Sequence, residues 1–331
     1  LFLFFTLATG MSVTVGYHRH YAHSSFKTNK FVQFLILFFG AAAFEQSALT
    51  WSSGHRDHHR YVDTDLDPYS IKKGFWYAHI GWMTLWRQKP DYNNVKDLLK
   101  DKLLMHQHDH YVWWGFTAGI LFPVFLGALN GHALGALVFA VCARLTLVYH
   151  ATFSINSVCH TFGTATYDID ATARDHWFVA ILTNGEGYHN FHHRFPTDYR
   201  NGVRWFHWDP SKWMIVFLNK AGLVSGLKQT SVIQIHRARL MAQKTRALRS
   251  LGKIELPSRA VKILEWNYRV LEAKLQEWDA QLSKTRADGL RTSRELEQKA
   301  RAEFEARSRR WILWVSRVSA FSRPLPYGAR S

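Results

Sequence analysis

The chain has 331 residues, enough for two ordinary domains or for one membrane domain with an appendage. It carries 42 Lys+Arg against 25 Asp+Glu, a formal charge of +17, and 14 Trp. Two cysteines, Cys142 and Cys159, exclude a disulfide framework, a zinc ribbon and a ferredoxin-type cluster. A basic balance points to nucleic acid, an anionic membrane surface or an anionic substrate. Trp together with long apolar runs selects the membrane, because indole and Lys/Arg settle at headgroup depth.

In chain order, four apolar stretches stand out: 1–15, 31–49, 111–129 and 133–153. The first opens without Met, and the chain is expected to be N-terminally truncated, lacking part or all of an earlier membrane helix. The second is interrupted by Gln33, Glu45 and Gln46. Roughly 20 residues at about 1.5 Å each cross a 30 Å hydrocarbon core, so the third and fourth suffice. Asn130-Gly131-His132 joins them as a tight hairpin. After residue 230 the chain becomes rich in Arg, Glu, Lys and Ala. Val261, Leu264, Tyr268, Leu271, Leu275, Trp278 and Leu282 then form a heptad seam over 261–282. That seam suits a coiled coil and self-association, or a helical tail packing on its own protein. The basic, aromatic run from Arg309 to Val318 suits anionic headgroups.

The 19 histidines concentrate in short motifs. Gly16-Tyr17-His18-Arg19-His20-Tyr21-Ala22-His23 contains H-x4-H. His55-Arg56-Asp57-His58-His59 and His189-Asn190-Phe191-His192-His193 are both H-x2-H-H. Asn156 and His160 stand at i,i+4 between them. On a helix, residues three and four apart share a face, so each H-x2-H-H aims its imidazoles into one sector. H-x4-H is looser and suits a helix end. Imidazole binds iron, zinc, copper and nickel alike. Eight motif histidines exceed the four ligands of a structural zinc site, so two metals with open positions are expected. The paired Glu-x-x-His pattern of carboxylate sites is not found, since Glu186-Gly187-Tyr188-His189 alone has that spacing, which favours an all-histidine site.

These motifs resemble the membrane fatty acid desaturases, and among them the stearoyl-CoA (Δ9 acyl-CoA) desaturases of bacterial type. The resemblance includes Thr64-Asp65-Leu66-Asp67-Pro68, Lys73-Gly74-Phe75, Gly81-Trp82 and Gly185-Glu186-Gly187-Tyr188 ahead of the third histidine motif, and it extends over roughly residues 1–230. It implies nine histidine ligands, His18, His23, His55, His58, His59, His160, His189, His192 and His193, around two irons, with Asn156 holding a metal-bound water. It also implies a fatty acyl-CoA substrate, O2, and an external electron donor such as cytochrome b5, ferredoxin or a rubredoxin-type protein. Lys72, Lys73, Arg87 and Lys89 are candidates for its phosphate contacts. Ser53 stands where many relatives carry Arg.

The expected architecture is all-α: a multi-pass membrane domain over 1–230 with a histidine-rich di-metal cap at the cytoplasmic face, then a basic helical tail over 231–331. All the motifs must reach one metal pair. The 31–49 stretch is therefore expected to lie at the interface or under the cap and not to cross. Trp51 and Phe153 are candidate walls of an acyl tunnel, or ordinary core. Asp57, Asp65, Asp168, Asp170 and Glu186 are candidates for orienting imidazoles. The expected reaction is O2-dependent formation of a cis double bond. The alternatives are an acyl-lipid desaturase, a lipid hydroxylase, and a metal-binding membrane scaffold without catalysis.

Overall fold

The computed structural model describes residues 1–86, 90–251 and 258–321, so Arg87 and Lys89 lie outside the described residues. The chain divides into two units. The first comprises Leu1–Ala165 and Asp170–Gln229, and the second comprises Thr166–Ile169 and the chain from Thr230.

In the first unit, helix α1 (Phe2–Met11) runs without a break into Ser12–Ala22, which is wound more widely with i to i+5 bonding. Helix α2 (Lys30–Ala41) is capped by Asn29, whose Oδ1 accepts from the Val32 amide at 2.9 Å. It spans about 18 Å by its twelve residues, too short to cross a bilayer. Gly16 and Gly40 let α2 lie directly on the wide segment: a Cβ at Gly16 would meet Ile36, and one at Gly40 would meet the Tyr17 ring. The apolar stretch 31–49 is thus not one helix. Phe44 (φ 55°) and Gln46 (φ 75°) take left-handed conformations that end α2, and Ser47 then caps helix α3 (Ala48–Tyr61).

Helix α4 (Lys102–Asp109) leads into α5 (Tyr111–Leu129), which turns at Gly131 (φ 74°) into α6 (Ala133–His160). Both α5 and α6 are long and apolar enough to cross a membrane. Val112, Phe125, Leu134 and Phe139 are more than half exposed, a surface that suits lipid better than water. Arg144 on α6 is fully buried. It donates to Thr9 Oγ1 at 2.9 Å, to the Ala42 carbonyl at the end of α2 at 2.9 Å, and to the Gly119 carbonyl at 3.0 Å. A cation at a helix C-terminus is favourable, and this one clamps α1, α2 and α5 onto α6. After a short helix at Trp177–Leu182 come α7 (His189–Arg194) and α8 (Pro210–Lys220). Strand β1 (Lys27–Thr28) pairs antiparallel with β2 (Val224–Ser225), with Lys27 opposite Ser225.

The second unit contains α9 (Val232–Leu251), α10 (Ser258–Asp288) and α11 (Arg291–Phe321). The heptad seam does not stand free for a second chain. Leu264, Leu271, Leu275 and Trp278 are buried against Ile233, Leu240, Ala300, Phe304 and Trp311 of the same chain. Three helices of one chain bury the apolar stripe that the sequence pattern left open to either partner.

Candidate metal centre

The site is assembled from the wide helical segment, α3, the end of α6 and α7. At about 3.6 residues per turn, residues five apart point to different sectors of an α-helix. An i to i+5 ladder instead brings them one above the other. This is how His18 and His23 come to lie with ring centroids 4.8 Å apart. The Nε2 atoms of His18 and His192 are 2.9 Å apart, as are those of His23 and His55 and those of His59 and His192. A second set joins His58 to His193 at 3.2 Å, and His189 to both His160 and His193 at 3.0 Å.

The nine histidines therefore fall into two groups: His18, His23, His55, His59 and His192, then His58, His160, His189 and His193. Within each group the donor atoms all lie within 4.8 Å of one another. Each H-x2-H-H motif serves both groups. On α3 the i,i+4 pair His55 and His59 faces the first group, and His58 turns to the second. On α7 the pair His189 and His193 faces the second, and His192 turns to the first. The sequence reading aimed each triplet at one sector. Adjacent residues differ by about 100° around a helix, so one member of each triplet reaches the other group.

Neutral imidazoles cannot fill such clusters by hydrogen bonding alone, since each ring has only one N–H to give. A cation answers the donor set. Two nitrogens about 2.1 Å from one ion stand roughly 3.0 Å apart at a right angle, but roughly 3.4 Å apart at a tetrahedral angle. The pairs at 2.9–3.2 Å are close enough to share one ion. Each group has donors enough for one ion, five histidines in the first and four in the second. Burial, and after it the neighbouring charges, hold His23, His55, His59, His189, His192 and His193 well below the ordinary histidine range. The neutral ring is the form that binds a metal.

The outer nitrogens are oriented by partners that fix the tautomer. His18 Nδ1 lies 2.8 Å from Glu186 Oε2, and His58 Nδ1 lies 2.8 Å from Asp67 Oδ1. His160 Nδ1 donates to Thr172 Oγ1 at 2.7 Å, and that hydroxyl donates to Asp63 Oδ1 at 2.6 Å. Glu186 is among the expected orienting acids. Asp57 instead accepts from Asn94 Nδ2 at 2.8 Å, and the Asp65 carbonyl accepts from Lys73 Nζ at 3.1 Å. Asp67, Asp63 and Thr172 escaped the sequence reading. Asp67 lies inside the Thr-Asp-Leu-Asp-Pro motif, which was the signal that could have found it.

Arg19, beside His18, is buried and holds the site to its frame. Its guanidinium donates to Glu186 Oε1 at 3.0 Å, Asp209 Oδ1 at 3.0 Å and the Tyr199 carbonyl at 2.8 Å. Asp209 also caps α8 through the Lys212 amide at 2.9 Å. Desolvation works against an ionised Glu186, but His18 and Arg19 outweigh it and keep the carboxyl below its usual range.

A cavity of about 520 Å³ shares a wall with both groups, through His18 and His55 on one side and His189 on the other. Its other walls include Leu7, Val13, Trp51, Val148, Phe153 and Asn156. Trp51 stacks on His55 at 4.8 Å and 19°, and its Nε1 donates to Glu45 Oε2 at 3.1 Å. Lys72 and Lys73 are exposed on the turn Ile71–Lys73 and do not themselves line the cavity. Lys73 Nζ lies 4.7 Å over the Trp86 ring, and Trp86 lines the cavity. His20, outside both groups, bonds the Phe26 carbonyl through Nδ1 at 3.1 Å.

Comparison with known proteins gives this geometry a setting. Residues 1–215 match the fatty acid desaturase family model. A probable acyl-CoA desaturase of Schizosaccharomyces pombe is 41% identical over 243 residues, 72% of this chain and 50% of the relative. Acyl-CoA desaturase 1 of Saccharomyces cerevisiae is 36% identical over 83% of this chain and 54% of its own length. The sn-1 stearoyl-lipid 9-desaturase of Anabaena variabilis is 33% identical over 68% of this chain and 82% of its own length. The chain thus spans about half the length of the two fungal relatives. Its match covers the segments that carry both histidine groups, and the chain belongs to the fatty acid desaturase family.

Proposed function

We propose that the chain is an O2-dependent desaturase that uses two iron ions to place a cis double bond, at the Δ9 position, in a saturated fatty acyl-CoA. The observation that carries this reading is one apolar cavity sharing a wall with two imidazole clusters. The irons, when bound, supply the O2 reduction that an unactivated methylene requires. The chain itself supplies position. Leu7, Val13, Val148 and Phe153 give the acyl chain an apolar bed, and Trp51, braced between His55 and Glu45, fixes its path past the metals. His18, His23, His55, His59 and His192 hold one ion, and His58, His160, His189 and His193 the other. Asn156 on the cavity wall holds a water beside them. Glu186, Asp67 and Thr172 keep the ring protons on the outer nitrogens, so the inner lone pairs face the ions.

In this reading helices α5 and α6 cross the membrane and the metals lie at the cytoplasmic face of a bacterial inner membrane, the side that the positive-inside rule gives to basic loops. Lys72, Lys73, Arg87 and Lys89 meet the CoA phosphates. Electrons arrive from a separate cytochrome b5, ferredoxin or rubredoxin-type protein. The names of the two fungal relatives support the acyl-CoA substrate. That of the cyanobacterial relative favours a second reading, in which the acyl chain is desaturated on a membrane lipid.

Expression in a host without its own desaturase, with time-resolved lipid analysis, tests both. A cis monoene appearing in acyl-CoA before phospholipid supports the first reading, and the reverse order supports the second. A hydroxylated product, or unchanged lipids with zinc bound under ample iron, overturns them. His192→Ala is expected to abolish the product while membrane insertion persists.

A further inference from the structure

We propose that the end of the α10–α11 pair remote from Gly289 is a docking surface for the anionic headgroups of a lipid bilayer. The two helices are antiparallel, joined near Gly289. Their register is set by Thr285 Oγ1 donating to the Ser293 carbonyl at 2.9 Å, Trp278 Nε1 to Glu297 Oε1 at 2.7 Å, and Lys274 Nζ to Glu303 Oε2 at 2.7 Å. This register sets Ile263 and Trp266 of α10 level with residues 311–314 of α11.

The end of α11 has two faces. Trp311 and Val315 turn inward to the bundle core, and Trp311 Nε1 donates to Gln243 Oε1 at 2.8 Å. Ile312 and Leu313 turn outward, 46% and 61% exposed. Arg309, Arg310 and Arg317 are exposed around them and form no ion pair among the described residues. No acid follows Glu305 in the chain. On α10, Ile263 and Trp266 are 42% and 63% exposed beside the exposed Lys262, with the half-buried Glu265 as the acid between them.

Large apolar side chains set among arginines, without a groove, match a headgroup layer: the apolar tips enter the acyl boundary and the guanidiniums meet phosphate. Nucleic acid would reward the charges but leave Ile312, Leu313 and Trp266 in water. A second copy of the chain would set like charge against like. The inference rests on the reading of the first unit as membrane-embedded, because the second unit follows it in the chain and stays within reach of the bilayer.

The test uses the full chain with exposed Cys142 replaced by Ser. Leu313→Cys carries an environment-sensitive fluorophore in vesicles of phosphatidylcholine, with or without phosphatidylglycerol. The expected result is a blue-shifted emission, quenched by spin-labelled lipid, only in anionic vesicles. High salt and the triple variant R309E/R310E/R317E should abolish it. A water-like emission independent of lipid charge overturns the proposal, as does a shift that follows protein concentration in neutral vesicles, the mark of a second copy. Phe125→Cys on α5 is the control. Quenching there in both vesicle types upholds the membrane reading whatever Leu313 reports, and its absence overturns that reading itself.

Discussion

Glu45 is the residue whose chemistry is least settled by its neighbours. It is half-buried on the cavity wall, with Oε2 accepting from Trp51 Nε1 at 3.1 Å. Burial pushes its carboxyl up to about 7 against the pull of bonds from Thr152 and Trp51. An acid raised in the folded state stabilises the fold below its ordinary range and loses that contribution as pH rises through the raised value. Roughly 3 kcal/mol is therefore lost between pH ~4.5 and ~7, and above that a charge stands in the acyl path. Glu45→Gln is expected to remove the difference. In the wild type KM for acyl substrate rises from about pH 6 to about pH 8 while the variant stays flat, read by initial rates in matched buffers. At this scale the site was largely legible. The nine histidines picked by motif and resemblance are the nine the structure brings into two groups. Of the partners of their outer nitrogens, Glu186 was among the expected acids and Asp67 lay inside a quoted motif, whereas Asp63 and Thr172 come from loops that obey no spacing rule.

Between elements, the decisive departure from helical arithmetic is the wide segment Ser12–Ala22. H-x4-H reads poorly on an α-helix, and no sequence pattern announced the i to i+5 ladder that makes it work. The break at Phe44–Gln46 was equally hidden, because non-glycine residues in left-handed conformations carry no compositional mark. The α5–α6 hairpin was plain, since length, apolarity and an Asn-Gly turn agreed. Arg19 joins the wide segment to the loop before α7 and to the cap of α8 through two buried carboxylates. Removing the cation strands both, so Arg19→Ala is expected to cost about 3–5 kcal/mol, with Arg19→Lys recovering only part because one ammonium cannot span both acids. Thermal unfolding of the purified protein in a fixed detergent reads this. An unchanged midpoint would mean that β1–β2 and the packing of Gly16 on Ile36 and of Gly40 on Tyr17 hold the segment without it.

Across the whole molecule, the heptad seam shows what a sequence can and cannot say. Its period gave helix and buried stripe, but the partner that covers the stripe depends on how the chain folds back, and α9 and α11 supply it here. Inside that bundle His236 sits 5.6 Å from the Trp278 ring and 5.1 Å from Phe304. Burial, aided by Arg239, pushes it down to about 4. A base lowered in the folded state lends stability that is present above its ordinary value near 6.5 and lost as pH falls to the lowered one. The loss approaches about 3 kcal/mol at pH ~4. Exposed Glu/Lys pairs of the tail add little that acid could remove on this scale. The second unit is therefore expected to become protease-sensitive between pH 6 and pH 4. His236→Phe fills the same aromatic niche without a titrating nitrogen and should keep the unit resistant over that range. Limited proteolysis of the full chain, scored on fragments cut after residue 230, separates this from proton competition at the histidine groups of the first unit. Equal sensitivity of wild type and variant would place the acid-labile group elsewhere in the bundle.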